Sequence, residues 1–208
     1  MTFDDAFTVQ KEEATEDFEK MAAMLPSEEP YLKTSVLKMS KNRILWLVLL
    51  NLSVFFTGAI TKRFESMIAM LPILTTFMPL LMDTSGDAGS QSSTLVIRGM
   101  AIDEIKLSNS LLVLFKELRV ALICGGVLAV VNCARVMIFG SDFTVAATVS
   151  LALLSAVVLS KTLGGLLPLG AKLIKLDPAV MAGPILTTIV DAVTLIVYFS
   201  LAGVILRA

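Results

Sequence analysis

Five long apolar segments, separated by short polar links, leave this chain few ways to fold. They run over Arg43–Lys62, Glu65–Ile97, Ser110–Phe139, Phe143–Leu169 and Pro178–Leu206. Each reaches the ~20 residues that a helix needs to cross a hydrocarbon core of ~30 Å. None alternates with period two, which argues against transmembrane strands. Charged residues make up 17% of the chain and hydrophobic ones 56%, whereas a soluble domain carries roughly a quarter charged residues. The predicted fold class is therefore all-α and integral to a lipid bilayer, with five transmembrane helices per chain.

The first 40 residues differ from the rest. They hold nine acids against four lysines, a net charge of −5, while the remainder carries +4. They lack the basic and apolar regions of a signal peptide. Within them Phe18, Met21, Ala22 and Leu25 recur at helical spacing, which predicts an amphipathic helix that Pro26 should end. The expected division is a cytoplasmic segment over 1–40 and a pore domain over 41–208. Lys33, Lys38, Lys41, Arg43, Arg98, Lys106, Lys116, Arg119, Lys161, Lys172 and Lys175 fall on one side of a five-span topology, and Lys62, Arg63, Arg135 and Arg207 on the other. The richer side is expected to be cytoplasmic. That places a multi-pass protein in the inner (plasma) membrane, N-terminus inside and C-terminus outside.

The second and fifth segments contain acids that an apolar run should not. Asp83, Asp87, Gln91 and Thr94 share one helical face, with Ser90 beside it and Gly86 and Gly89 thinning the helix. Pro79 is placed to bend the helix just before this patch. In the fifth segment Thr187, Asp191, Thr194 and Tyr198 share a face, Asp191 lies somewhat past the middle, and Pro184 is placed to free the Thr187 carbonyl. A charge at the centre of a bilayer costs about 2.5–3.5 kcal/mol or more, so such residues face a bundle interior or a water path. Neither segment carries an interior Lys or Arg to neutralise its acids. A mobile cation could be the missing partner; a protonated, hydrogen-bonded Asp191 is the alternative. Oxygen-only ligands suit Mg²⁺ or Ca²⁺. Mg²⁺ is reluctant to dehydrate and is typically held by one or two carboxylates through retained waters. The chain has no histidine, and Cys124 and Cys133 match no zinc spacing.

Four stretches resemble the MgtE magnesium channels: "EEATEDFEKMAA" at 12–23, "FES" at 64–66, "GDAGSQSSTLVIRG" at 86–99 and "LDPAVMAGPILTTIVD" at 176–191. They stand in the family's order and cover the chain from Glu12 onward. The resemblance implies an MgtE-type transmembrane domain in a homodimer, with the second and fifth helices of both chains lining one central pore. It makes Asp191 the aspartate that binds hydrated Mg²⁺, with the Thr187 carbonyl helping one turn earlier. Asp177 matches the acid at the cytoplasmic start of the fifth helix, and Glu65 the glutamate at the outer mouth. The family usually reads Gly-Gly-Asn-Ala-Gly where this chain has Ser85, Gly86, Asp87, Ala88 and Gly89. The extra charge of Asp87, with Asp83 a turn before it, makes Ca²⁺ and other divalent cations further candidates. Family members commonly carry a cytosolic helical domain and paired CBS domains ahead of the first span. Residues 12–40 resemble only the plug helix and its link, so the expected layout lacks the usual sensor.

The expected function is passive conduction of Mg²⁺ down its electrochemical gradient, with Mg²⁺ as the transported ion. A cation or proton-coupled exchanger using Asp191 is the alternative; five spans do not divide into the equal repeats common in such carriers. An inert assembly subunit would not account for unpaired acids in two spans. No nucleophile–base pair points to an enzyme, and no nucleic-acid partner is expected.

Overall fold

Prolines and one glycine decide where the apolar segments break. The computed structural model describes residues 14–22, 24–25 and 31–206. Its helices are α1 (14–21), α2 (Val36–Arg63), α3 (Glu65–Met70), α4 (Ile73–Ala101), α5 (Ser110–Ile138), α6 (Phe143–Leu173) and α7 (Pro184–Leu206), with 3₁₀ turns at Leu107–Asn109 and Pro178–Met181. Among the described residues there is no strand. The expected end of α1 at Pro26 and the counted Arg207 lie outside the described residues.

The second segment, expected as one helix, is two. Leu71 leaves the helical region at φ −130°, ψ 73°, because the ring of Pro72 disfavours an α conformation in the residue before it. Pro72 then starts α4. The fifth segment also divides. Asp177 caps the 3₁₀ turn, Gly183 takes φ +61°, and Pro184 opens α7. Asp191 is thus two turns into α7, about 10 Å from its start, rather than past its middle. Pro184 also leaves the Thr187 carbonyl inside the helix, since at the first position of α7 its missing N–H removes no intrahelical bond. Pro79 and Pro168 leave α4 and α6 unbroken, as prolines often do where neighbouring helices supply the lost contacts.

Among the described residues, four stretches are long and apolar enough to cross a membrane: Val36–Arg63, Leu107–Ile138, Phe143–Leu173 and Pro178–Leu206. α4 is as long, but its polar face lowers its hydropathy. The helices α4, α5 and α7 surround α6, and α2 packs outside α7. α2 has no buried residue and reaches the bundle through Ser53, whose hydroxyl lies 3.2 Å from that of Thr188.

The core has two apolar halves. One gathers Leu74, Phe77, Leu81, Val149, Leu153, Val157, Leu195, Tyr198 and Phe199. The other gathers Val96, Ile97, Met100, Val113, Leu169 and Ala182. Between them α4 crosses α6 over small and polar residues: Ser85, Ala88, Gly89 and Ser92 against Ser160, Lys161 and Gly164. A Cβ on Gly164 would run into the Gly89 carbonyl. The glycine expected to admit another backbone does so at Gly89.

Candidate cation path

α4 and α7 run antiparallel. Leu74 meets Tyr198 at one end of their contact, and Gly86 meets Thr187 further along. Beside this contact lies an open groove of about 790 Å³, lined by Met78, Met82, Asp83, Gly86, Asp87, Thr187 and Asp191 among others. No Lys or Arg lines it. Among the described residues, no three acidic or thiol side chains come close enough to share a bare ion. The chemistry on offer is carboxylate and hydroxyl oxygen spaced along an open groove, which suits a cation that keeps its water.

The sequence placed Asp83, Asp87, Gln91 and Thr94 on one face, and all four are exposed on α4. Asp87 stands at the centre of the helix and lines a second hollow with Ser90, Gln91, Thr94 and Leu95. Thr187 and Asp191 join Asp83 and Asp87 from α7. The Thr187 hydroxyl donates to the Pro184 carbonyl at 3.0 Å, leaving its oxygen lone pairs to accept from water.

Thr194 and Tyr198, expected beside Asp191 on one face, are instead turned into the bundle. Thr194 donates to the Ser85 hydroxyl at 2.9 Å, and Tyr198 to the Leu74 carbonyl at 2.9 Å. Both side chains are buried. The shared face is real on the helix, but α4 closes over its far half and leaves the near half open.

Glu65 and Asp177 lie apart from the central groove. Glu65 lines a separate hollow between α2 and α4 with Lys62, Thr61 and Met82. Asp177 lies beside the start of α7 and holds α1 in place. Its Oδ1 accepts from the Ala179 N–H at 2.9 Å. Its Oδ2 accepts from Lys20 at 2.5 Å, and Lys20 also pairs with Glu16 at 2.6 Å. The Asp177 contact first, and Glu16 second, hold the Lys20 ammonium above the ordinary lysine range. Met21 of α1 packs on the second apolar half, and its carbonyl occupies the space a Cβ on Gly183 would need. The expected amphipathic face is thus divided, since Phe18 is 78% exposed.

Two charged residues near the path were not singled out from the sequence. Lys161 is among the cations expected on the cytoplasmic side. It is buried in α6, and donates to the Gln91 side-chain carbonyl at 3.1 Å and the Ala88 carbonyl at 3.4 Å. Glu117 of α5 accepts from Ser92 at 2.5 Å. The signal for Lys161 was present: a lone lysine in "SAVVLSKTLGGLL", with apolar residues on both sides.

The family described as MgtE, divalent cation transporter, matches residues 78–201, which contain the α4 and α7 acids of the groove. The magnesium transporter MgtE of Thermus thermophilus is 31% identical over 208 residues, all of this chain and 46% of that protein. The magnesium transporter MgtE of Bacillus subtilis is 29% identical over 202 residues, 97% of this chain and 44% of its own length. That of Enterococcus faecalis is 28% identical over 207 residues, covering 100% of this chain and 45% of its own length. The chain therefore spans about half the length of the curated relatives it matches.

Proposed function

The chain belongs to the MgtE family of divalent cation transporters, and from that premise we propose that it conducts Mg²⁺ across a membrane through a pore shared by two copies. The observation that carries this reading is the groove that joins Asp83, Asp87, Thr187 and Asp191 with no basic residue on its wall. The cargo passes with most of its water shell, because stripping that shell is costly for Mg²⁺. Asp191 is the principal charge, Thr187 orients shell waters, and Asp83 and Asp87 continue the path along α4.

A partner follows from cost. Asp83, Asp87, Gln91, Thr94 and Leu95 are all exposed on one face of α4. Each acid facing lipid would cost about 2.5–3.5 kcal/mol at the bilayer centre, so α4 is a fifth span whose polar face looks onto water and a second copy. Two-fold symmetry, the commonest closed arrangement, sets the grooves of α4 and α7 face to face. On this reading the Asp177 end and the N-terminus are cytoplasmic, and the Glu65 hollow and the C-terminus lie outside. Removing Lys161 from the cytoplasmic-side cations leaves that bias intact. The membrane potential drives entry, worth about 2.3 kcal/mol per charge per 100 mV. Asp87 extends the candidate cargo to Ca²⁺.

The test is Mg²⁺ influx into liposomes holding this chain, with a membrane potential and no proton gradient. Influx that is lost in Asp191→Asn is expected. Influx that requires a proton gradient would favour an exchanger, and no influx under either condition would remove the transport reading.

A further inference from the structure

A buried ammonium behind the wall of the path has no role so far. Lys161 is 5% exposed, and both of its acceptors are neutral: the Gln91 side-chain carbonyl and the Ala88 main-chain carbonyl. The nearby carboxylate of Glu117 is held by Ser92. Gly165, one turn beyond Lys161 on α6, packs against the Glu117 side chain, where a Cβ would come to 3.0 Å of its Cγ. Lys161 thus brings a positive charge to α4 with no ion-pair partner among the described residues. Ala88 follows Asp87 in the chain, and Gln91 stands one turn beyond Asp87, exposed in the hollow shared with Ser90 and Thr94.

We propose that Lys161 is a specificity-determining residue of the cation path, acting from behind α4 on the stretch that follows Asp87. This rests on the reading of the α4–α7 groove as that path. Two effects combine. By donating to Oε1, Lys161 holds the Gln91 carbonyl toward α6 and leaves the amide N–H₂ for the hollow that Gln91 lines with Asp87. This stretch then presents donors where a cation would seek oxygen. The fixed charge also opposes prolonged residence of a divalent ion beside Asp87. Conduction requires that binding be weak enough to leave as well as favourable enough to enter. Asp83, Asp87 and Asp191 draw the ion in; Lys161 keeps the following stretch from holding it.

Flux and block measured on the full chain in liposomes separate this from a packing role. Lys161→Met removes the charge and releases the Gln91 carbonyl to the hollow it shares with Asp87. The expected result is a concentration for half-maximal Mg²⁺ flux lowered on the order of tenfold, as loss of one nearby positive charge predicts, with a lower maximal flux. Block by Ca²⁺ tightens in the same variant. Lys161→Arg, which keeps charge and donors, restores the parent values. The double variant Lys161→Met with Gln91→Leu removes both partners and guards against a misfolded single variant, since paired apolar replacement is far milder than orphaning one partner. It should still lower the half-maximal concentration. Parent values in either folded variant overturn the proposal. So does loss of the fold in both while Lys161→Arg stays folded, which would assign Lys161 to packing. If the parent chain conducts no Mg²⁺, the path itself fails, a result distinct from parent flux that Lys161→Met leaves unchanged.

Discussion

At the scale of single residues, charge and shape can be separated at Asp191. Asp191→Asn keeps the volume and removes one charge per chain from the groove. The expected outcome is a folded protein whose Mg²⁺ flux at low external Mg²⁺ falls more than about tenfold, the factor that each 1.4 kcal/mol of lost attraction produces. A radiotracer or fluorescent-indicator assay in liposomes checks it, and parent-like flux would move the central site onto α4. Asp87→Asn makes a milder change, because Asp87 is exposed at the junction of two hollows and Asn is the usual family residue there. Its expected signature is an altered ratio of Mg²⁺ to Ca²⁺ flux with the fold unchanged; identical permeation and block would take Asp87 off the path. These acids were legible because an unpaired carboxylate in an apolar run is too costly to be incidental. The roles of Thr194 and Tyr198 were not legible. Periodicity assigns them to the face of Asp191, whereas their burial depends on where α4 crosses that face.

At the scale of elements, one contact sets how α4 lies on α6 and another docks α1. The first is the crossing of α4 and α6 at Gly89 and Gly164. A methyl group on Gly164 meets backbone, which cannot swing aside like a side-chain tip. Gly164→Ala should therefore cost about 1–3 kcal/mol, the usual range for overpacking, read as a lower midpoint of thermal unfolding in detergent. An unchanged midpoint would mean that the two helices separate freely. The second contact is the docking of α1 through Lys20, Glu16 and Asp177. The Lys20 pKa is raised above its ordinary value of 10.5. Its contribution is therefore complete below that value and is lost as pH rises through the still higher docked value. Limited proteolysis of the segment around α1 should be constant from pH 7 to pH 9, and faster in Lys20→Met at every pH in that range. The pair is partly exposed, so it contributes within about 1 kcal/mol. Release of α1 by a shift from pH 7 to pH 9 would show that another group holds it.

At the scale of the whole molecule, the exposed polar face of α4 is where the proposed second copy can be tested. Leu95 is exposed on that face beside Thr94 and Gln91. With Cys124 and Cys133 replaced by Ala, Leu95→Cys in the membrane should give a disulfide-linked dimer under mild oxidation. The same change at Phe143, exposed at the start of α6, should not. A monomer at Leu95 with intact Mg²⁺ flux would exclude a pore built from facing α4 helices. If the dimer forms, both chains contribute Asp191 to one axis, and a single mutant copy should reduce flux in mixed dimers.

The sequence by itself determined that this chain is helical and built for a bilayer, because apolar length and the absence of alternation leave no other way to satisfy the backbone. It also marked Asp83, Asp87 and Asp191 as candidates, because an unpaired charge in an apolar run has a cost that the sequence exposes without any coordinates. Tertiary structure decided the rest. Pro72 made two helices of one expected span, and Gly183 with Pro184 moved Asp191 to two turns from the start of α7. The crossing over Gly89 and Gly164 set which half of the α7 polar face stays open. The same packing made Lys161, expected among the cytoplasmic-side cations, a buried neighbour of Gln91. Helical periodicity gives the direction of a side chain around its own axis. Whether that direction meets water, lipid, another helix or a charge depends on where a second helix crosses, and that crossing is set by small residues far away in the chain.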